Sequence, residues 1–233
     1  MAVIRLMFCS VWSIFWITLS MILYLFTFRN TLPVAMARHC WSPGILWACG
    51  IRVSSSEWRR ISPRDPYVFV CNHQSLLDIP ILFQAIRQNI YFVAKKELKW
   101  VPFLGWYMMA TGMIFIDRSN RQKSAASLRR AGRLIHQGRS VIMFPEGTRS
   151  RRDQISTFKK GPFILACQAK VAVVPVGIRA NGKPFSWSRL GKTEVTVNFH
   201  DPVPCEKESL KDTLEEVRRK VGELAGKAVE SVA

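Results

Sequence analysis

The chain has 233 residues, with 34 Lys and Arg against 16 Asp and Glu, a formal net charge of +18. That length allows one domain with a full core plus a small appendage, and the charge points to anionic partners: nucleic acid, an anionic membrane face or phosphorylated small molecules. Six cysteines without a CxxC and four widely separated histidines argue against a disulfide framework and against a metal site.

The first predicted element runs from Leu6 to Phe28, 23 consecutive positions without a charge. As a helix this run reaches about 35 Å, enough for a bilayer core of about 30 Å. It is too long for the apolar core of a signal peptide and has no small-residue cleavage site, so a retained membrane segment is predicted. The next apolar stretch, Leu32 to Ile51, is interrupted by Arg38, His39, Ser42, Pro43 and Gly44, and is expected to double back or lie in the interface. Arg5 alone precedes the first run, whereas Arg29, Arg38, Arg52, Arg59 and Arg60 follow it, which places the remainder on the cytoplasmic side of an inner membrane. A hairpin dipping into one leaflet, with both ends cytoplasmic, fits the same charges. Two regions are expected: membrane-anchoring helices over 1–52 and a catalytic domain over 53–233.

Beyond residue 51 short β-rich runs alternate with helical ones. Residues 67–70, 91–94, 113–116, 140–144, 171–178 and 194–199 read as strands, several apolar on both faces, as in a covered sheet. Residues 78–88, 121–137 and 156–169 have helical patterns, and from Glu206 the apolar positions Leu210, Leu214, Val217, Val221 and Leu224 form one stripe. The class is α/β: a single catalytic domain with a largely covered mixed sheet flanked by helices, preceded by the membrane-embedded segment.

Chemistry enters at CNHQSLLDIP, Cys71 to Pro80, where His73 and Asp78 stand five positions apart. On one ideal helix, five residues leave the two side chains about 140° apart. If His73 instead lies in the turn leaving a strand and Asp78 opens the following helix, the carboxylate can reach a ring nitrogen, fix the tautomer and leave the other nitrogen to accept a proton. From these residues alone, a surface histidine beside a helix cap explains the pattern equally well. Ser75 is too close to His73 for an easy nucleophile–base pair, no GxSxG turn is present, and Cys71 ends an apolar strand. A histidine activating a hydroxyl of the substrate itself is therefore favoured.

The second informative piece is FPEGTRSRR, Phe144 to Arg152, directly after a predicted strand. Open α/β sheets hold ligands at such ends. Gly147 permits close backbone approach, Thr148 offers a hydroxyl and Arg149 a planar fork for two phosphate oxygens. Read blind, the stretch is also compatible with an ordinary turn and a solvated arginine.

Residues 72–78, NHQSLLD, resemble the NHxxxxD motif of the glycerolipid acyltransferases, and 144–150, FPEGTRS, resemble their second signature. Residues 94–118 and 173–178 resemble the remaining blocks, in the same order, so that four motifs cover residues 65–180. The similarity is greatest to 1-acylglycerol-3-phosphate acyltransferases of the bacterial type. It implies that His73 is the general base, that Asp78 orients it, and that an acyl thioester of coenzyme A or acyl carrier protein donates to a lysophospholipid hydroxyl. Arg149, with Lys95, Lys96 and Arg118, would grip the acceptor phosphate, while Glu146, Gly147 and Thr148 would shape the glycerol end. No cofactor or metal is implied beyond the thioester co-substrate.

Other basic residues between 121 and 160, Lys159 and Lys160 among them, are expected to face an anionic membrane surface. Other acceptors fit the motifs too: glycerol 3-phosphate, a lysophospholipid with a larger head group, or a lyso-ornithine lipid. A membrane-tethered nucleic-acid-binding protein would share the charge. The chain has no helix-turn-helix, zinc finger or RNP-type motif, so no specific nucleic-acid partner is expected.

Overall fold

A computed structural model describes residues 2–56, 58, 60–117, 121–147, 154–182, 185–188 and 191–230. The apolar leader folds as α1 (Ala2–Thr27), α2 (Thr31–Met36), a wide π turn (Ala37–Trp41) and α3 (Ser42–Cys49). The hairpin is pinned by tryptophans: the Trp12 indole donates to Trp41 O at 3.0 Å, and Trp41 donates to Ser13 Oγ at 2.9 Å. A Cβ on Gly44 would lie 2.3 Å from the Trp12 ring, so glycine is what lets α1 and α3 approach this closely.

Among the described residues α1 is the one helix long and apolar enough to cross a membrane, and little of it is buried. That bare apolar surface marks the chain as membrane-associated. Both ends of the leader nevertheless touch the α/β body. Arg5 donates to Ser186 O at 3.3 Å, and past the far end of α1 Arg139 donates to Asn30 Oδ1 at 3.0 Å. The helix therefore lies along the domain, tied to it at both ends.

A seven-stranded sheet has the order β1-β8-β7-β2-β5-β3-β4. Its strands are β1 (Ile51–Ser55), β2 (Val68–Cys71), β3 (Ile90–Lys95), β4 (Ile114–Ile116), β5 (Ser140–Met143), β7 (Val173–Asn181) and β8 (Thr193–Phe199), while β6 (Gln154–Ile155) pairs with β9 (Ala228–Val229). All neighbouring pairs are parallel except β7 with β8, which makes the sheet mixed. The helices of the body are α4 (Asp78–Ala85), a 3₁₀ turn (Lys96–Trp100), α5 (Leu104–Thr111), α6 (Arg121–His136), α7 (Gly161–Ala169) and α8 (Leu210–Ala225).

Two hydrophobic cores explain why the strands read as unbroken apolar runs. Phe69 and Cys71 of β2 point into one, shared with α3 and α4, while Val68 and Val70 point into the other, shared with α6, α7 and α8. Period-two alternation with both faces covered leaves no polar positions, as a sheet sandwiched between helix layers requires. On the second face α8 approaches so closely that a Cβ on Gly177 would stand 2.4 Å from Leu224 Cβ and 2.5 Å from Ala225 N.

Several boundaries differ from the sequence expectations. The first strand begins at Ile51, with α3 entering it through the left-handed Gly50 (φ 66°), so the sheet starts just before the anticipated division at 52/53. The helix expected over 78–88 stops at Ala85, where Ile86 turns to extended backbone. The one expected over 156–169 opens only at Gly161, with Pro162 in its first turn, a position that costs no intrahelical hydrogen bond. Within 94–118 an unforeseen helix, α5, follows β3.

Candidate active site

The site assembles at the carboxyl ends of two adjacent parallel strands, β2 and β5. Asn72 begins it. Its side chain, 1% exposed, donates to Ile178 O at 3.1 Å and accepts from Ile178 N at 2.8 Å. The chain is thereby tied to β7 at the point where it leaves the sheet.

His73 follows in the turn, and Asp78 is the first residue of α4. The five-residue gap closes because a turn, not a helix, lies between them. Asp78 Oδ2 accepts three hydrogen bonds: from His73 Nδ1 at 2.8 Å, from Gln74 N at 2.7 Å and from Ser75 N at 2.9 Å. The carboxylate is 4% exposed and the imidazole 17%, so the acid is buried and the ring keeps some access to solvent. An acceptor-only oxygen on Nδ1 makes that nitrogen the protonated one and leaves Nε2 as the basic lone pair. Phe144, from the end of β5, stacks on the ring at 4.0 Å between centroids and 19° between planes.

The two candidate nucleophiles are both accounted for structurally. Ser75 Oγ accepts the Leu77 N–H at 3.1 Å and so caps the turn into α4. Cys71 is fully buried, and burial, with the nearby Asp78 and Glu146 carboxylates, pushes its thiol well above the usual range. Thiolate chemistry there is suppressed.

The second motif meets the first through Glu146. Its Oε1 accepts the backbone N–H of His73 at 3.1 Å, and its Oε2 accepts the N–H of Ser156 at 3.3 Å. Both oxygens thus serve the backbone, a positioning duty that the sequence did not suggest. Burial raises the carboxyl above its ordinary range, against the opposing influence of those two N–H groups, Lys227 and His73. Gly147 adopts φ +77°, and a Cβ there would fall 2.8 Å from Lys159 Cε and 2.9 Å from Lys159 Nζ.

The structure thus brings His73, Asp78, Glu146 and Gly147 together. Lys96 lies at the same end of the sheet but is engaged: its ammonium pairs with Asp117 at 2.8 Å, and this hydrogen bond raises its pKa. Lys95 is exposed at the end of β3. Arg118, Thr148 and Arg149 lie outside the described residues. Sequence reasoning passed over three contributors. Lys159 carries an ammonium onto the Gly147 backbone. Ser156 holds Glu146, and Arg218 of α8, 1% exposed, donates through Nε to Ser156 O at 3.1 Å. A charged residue inside the apolar stripe of α8 was the one available signal for Arg218; the other two carried none.

Known proteins resemble this chain in sequence and in fold. A family model described as Acyltransferase matches residues 51–179. A 1-acyl-sn-glycerol-3-phosphate acyltransferase of Chlamydomonas reinhardtii is 35% identical over 70% of this chain and 51% of its own length. The protein of that name from Escherichia coli is 30% identical over 86% of this chain and 82% of its own. The crystal structure of the 1-acyl-sn-glycerophosphate acyltransferase PlsC from Thermotoga maritima superposes with a TM-score of 0.69, at 27% identity, over 96% of this chain and 98% of that one. The chain spans about half the length, or less, of the first curated relatives it matches. A model matched across more than half of the chain and a bacterial relative covered over most of its length, with the first motif and the described part of the second meeting at one sheet end, together establish that this chain belongs to the Acyltransferase family.

Proposed function

We propose that the protein transfers a fatty acyl group from a thioester to the 2-hydroxyl of lysophosphatidic acid, giving phosphatidic acid. The observation that carries this reading is the 2.8 Å contact between His73 Nδ1 and the buried Asp78 Oδ2, which leaves Nε2 as the lone-pair nitrogen of a partly exposed ring. The relatives' names supply the acceptor, 1-acyl-sn-glycerol 3-phosphate.

In this mechanism Nε2 of His73 takes the hydroxyl proton as the oxygen attacks the thioester carbon, and Asp78 stabilises the imidazolium that forms. The tetrahedral adduct collapses with cleavage of the C–S bond. The thiolate leaves and recovers the proton from the imidazolium, so one ester and one free thiol result. A thiolate leaves readily, and no cofactor enters the step. Phosphate recognition falls to Arg149, with Arg118, Lys95 and Lys96 as further candidates and Lys159 joining them through its place on Gly147, while Thr148 shapes the glycerol end. Coenzyme A or acyl carrier protein is the donor's carrier, and the domain faces the cytoplasm on an anionic inner-membrane surface.

The test is an assay of the purified full chain, in detergent and in liposomes, across acyl carriers and acceptors. Lysophosphatidic acid should release titratable thiol and form phosphatidic acid. Faster turnover of glycerol 3-phosphate, a larger lysophospholipid or a lyso-ornithine lipid would replace the acceptor, and preference for a phosphate-free one would remove the phosphate site. Arg149→Ala should raise KM for the phosphorylated acceptor while leaving KM for the thioester in place.

A further inference from the structure

Next to the catalytic turn, the chain from the end of β3 through α5 exposes an unusual set of side chains. Trp100 is 82% exposed and Trp106 54%, with Val101, Phe103, Leu104 and Met109 also open to the outside. Leu76, in the His73–Asp78 turn itself, is 65% exposed. Apolar patches of this kind on a soluble surface mark a partner.

The elbow is rigid. Phe103 sits at φ 61°, ψ −59°, in a γ-turn closed by Leu104 N donating to Pro102 O at 2.7 Å. A γ-turn of this hand is strained for a residue with a side chain, and such strain persists only where its surroundings enforce it. Gly105 supplies the enforcement: a Cβ there would lie 2.2 Å from Lys99 O, so the start of α5 is locked against the 3₁₀ turn. Phe103 and Trp106 also meet each other, with ring centroids 5.5 Å apart. Aromatic side chains are thus presented outward on a preformed backbone, not by a loose loop.

The chemistry of the surroundings identifies the occupant. Lys99 holds its ammonium 6.0 Å above the Trp100 ring, and Lys95 is exposed alongside, the pairing of indole and cation that suits a headgroup layer. On its inner side α5 packs against α1, and Tyr107 donates to Pro33 O at 3.0 Å, so the patch continues into the bare apolar surface of the leader. The elbow also leaves the sheet at the same end as His73: Phe92 of β3 and His73 both lie against Phe144.

We propose that the Trp100–Met109 elbow is a second, lipid-inserting wedge, distinct from the leader hairpin, which enters an anionic leaflet and sets the depth of the catalytic turn. Insertion itself is independent of the proposed reaction; its catalytic consequence rests on the lysophosphatidic acid reading. With Leu76 at the rim, an acceptor embedded in the leaflet reaches His73 without leaving its neighbours.

Two measurements on the full chain decide this. In vesicles of phosphatidylcholine and phosphatidylglycerol with brominated acyl chains, Trp100→Phe/Trp106→Phe should lose a share of the bromine-quenched tryptophan emission seen in the unaltered protein. An unchanged quenched share would overturn the wedge, whether or not the protein transfers acyl groups. In the second, Trp100→Ser/Phe103→Ser/Trp106→Ser should acylate lysophosphatidic acid in vesicles about tenfold or more slowly. Its rate on a short-chain acceptor dissolved as monomers should stay within about twofold of the unaltered protein. Equal losses on both acceptors would show that the elbow serves only the fold and would overturn the proposal. Failure of every acceptor in the unaltered chain would remove the acyltransfer reading while leaving the quenching result to decide insertion.

Discussion

Glu146 Oε1 accepts the backbone N–H of His73 at 3.1 Å, joining two motifs that stand 73 residues apart in the chain. Through its other oxygen the same carboxylate holds Ser156 N, and Ser156 O is held in turn by the buried guanidinium of Arg218. The histidine turn, the glycine turn after β5 and helix α8 are therefore one connected unit. Glu146 holds the histidine's position through the backbone N–H.

Replacing Glu146 by Ala should therefore reduce turnover and stability together. Two backbone N–H groups lose their acceptor, and an unsatisfied buried group costs about 1–3 kcal/mol. The check is Tm alongside kcat and KM: a fall in kcat larger than the rise in KM for the thioester is expected. Unchanged kcat in a folded variant would show that the His73 turn holds itself.

The raised pKa of Glu146 sets a pH dependence. A carboxyl whose folded pKa lies above its unfolded value, about 4.3, gives its full stabilisation below that value and loses it as pH rises through the folded pKa. Glu146→Gln does not titrate. The difference in Tm, unaltered protein minus Glu146→Gln, should thus shrink as pH is raised from about 4 to neutral. A difference that grows over this window would contradict the burial argument.

His73→Ala should lower turnover by at least about 100-fold, the lower bound for removing a general base, with little change in Tm. Asp78→Asn keeps the size of the side chain but puts either an amide NH₂ or a weaker neutral acceptor against Nδ1 and the two turn N–H groups. Turnover should fall and Tm should drop as well, because Oδ2 closes the turn through Gln74 N and Ser75 N. Circular dichroism melts with steady-state rates separate the two roles.

Gly177→Ala tests packing away from the chemistry. The new methyl would meet Leu224 Cβ and the Ala225 backbone at 2.4–2.5 Å, so α8 must shift. Overpacking of this kind costs about 1–3 kcal/mol, which chemical denaturation resolves. Because α8 carries Arg218, a fall in kcat should accompany the loss. A stability cost without any rate effect would uncouple α8 from the site.

The apolar runs fixed the strands at the centre of the sheet, because a strand covered on both faces has no polar positions to confuse its reading. Edge elements were less legible. Strand β1, IRVSS, shows a mixed burial pattern at the sheet margin, and β6 and β9 are two residues each. Helix α5 was hidden because LGWYMMAT is apolar all round and sits between Pro102 and Gly112, leaving no period to read.

The sequence by itself determined the α/β class and the apolar leader, since residue type, order and hydrophobic period are properties of the string; it singled out His73 and Asp78 through a motif resemblance, while their spacing alone left a surface histidine beside a helix cap equally open. Tertiary structure alone decided that Asp78 Oδ2 receives the ring and two turn N–H groups, that Glu146 serves the backbone of His73, that Lys96 is paired with Asp117, and that the elbow after β3 turns its aromatics outward. Each of these depends on which strand ends lie side by side, and that neighbourhood is set by long-range sheet pairing, which local pattern cannot encode.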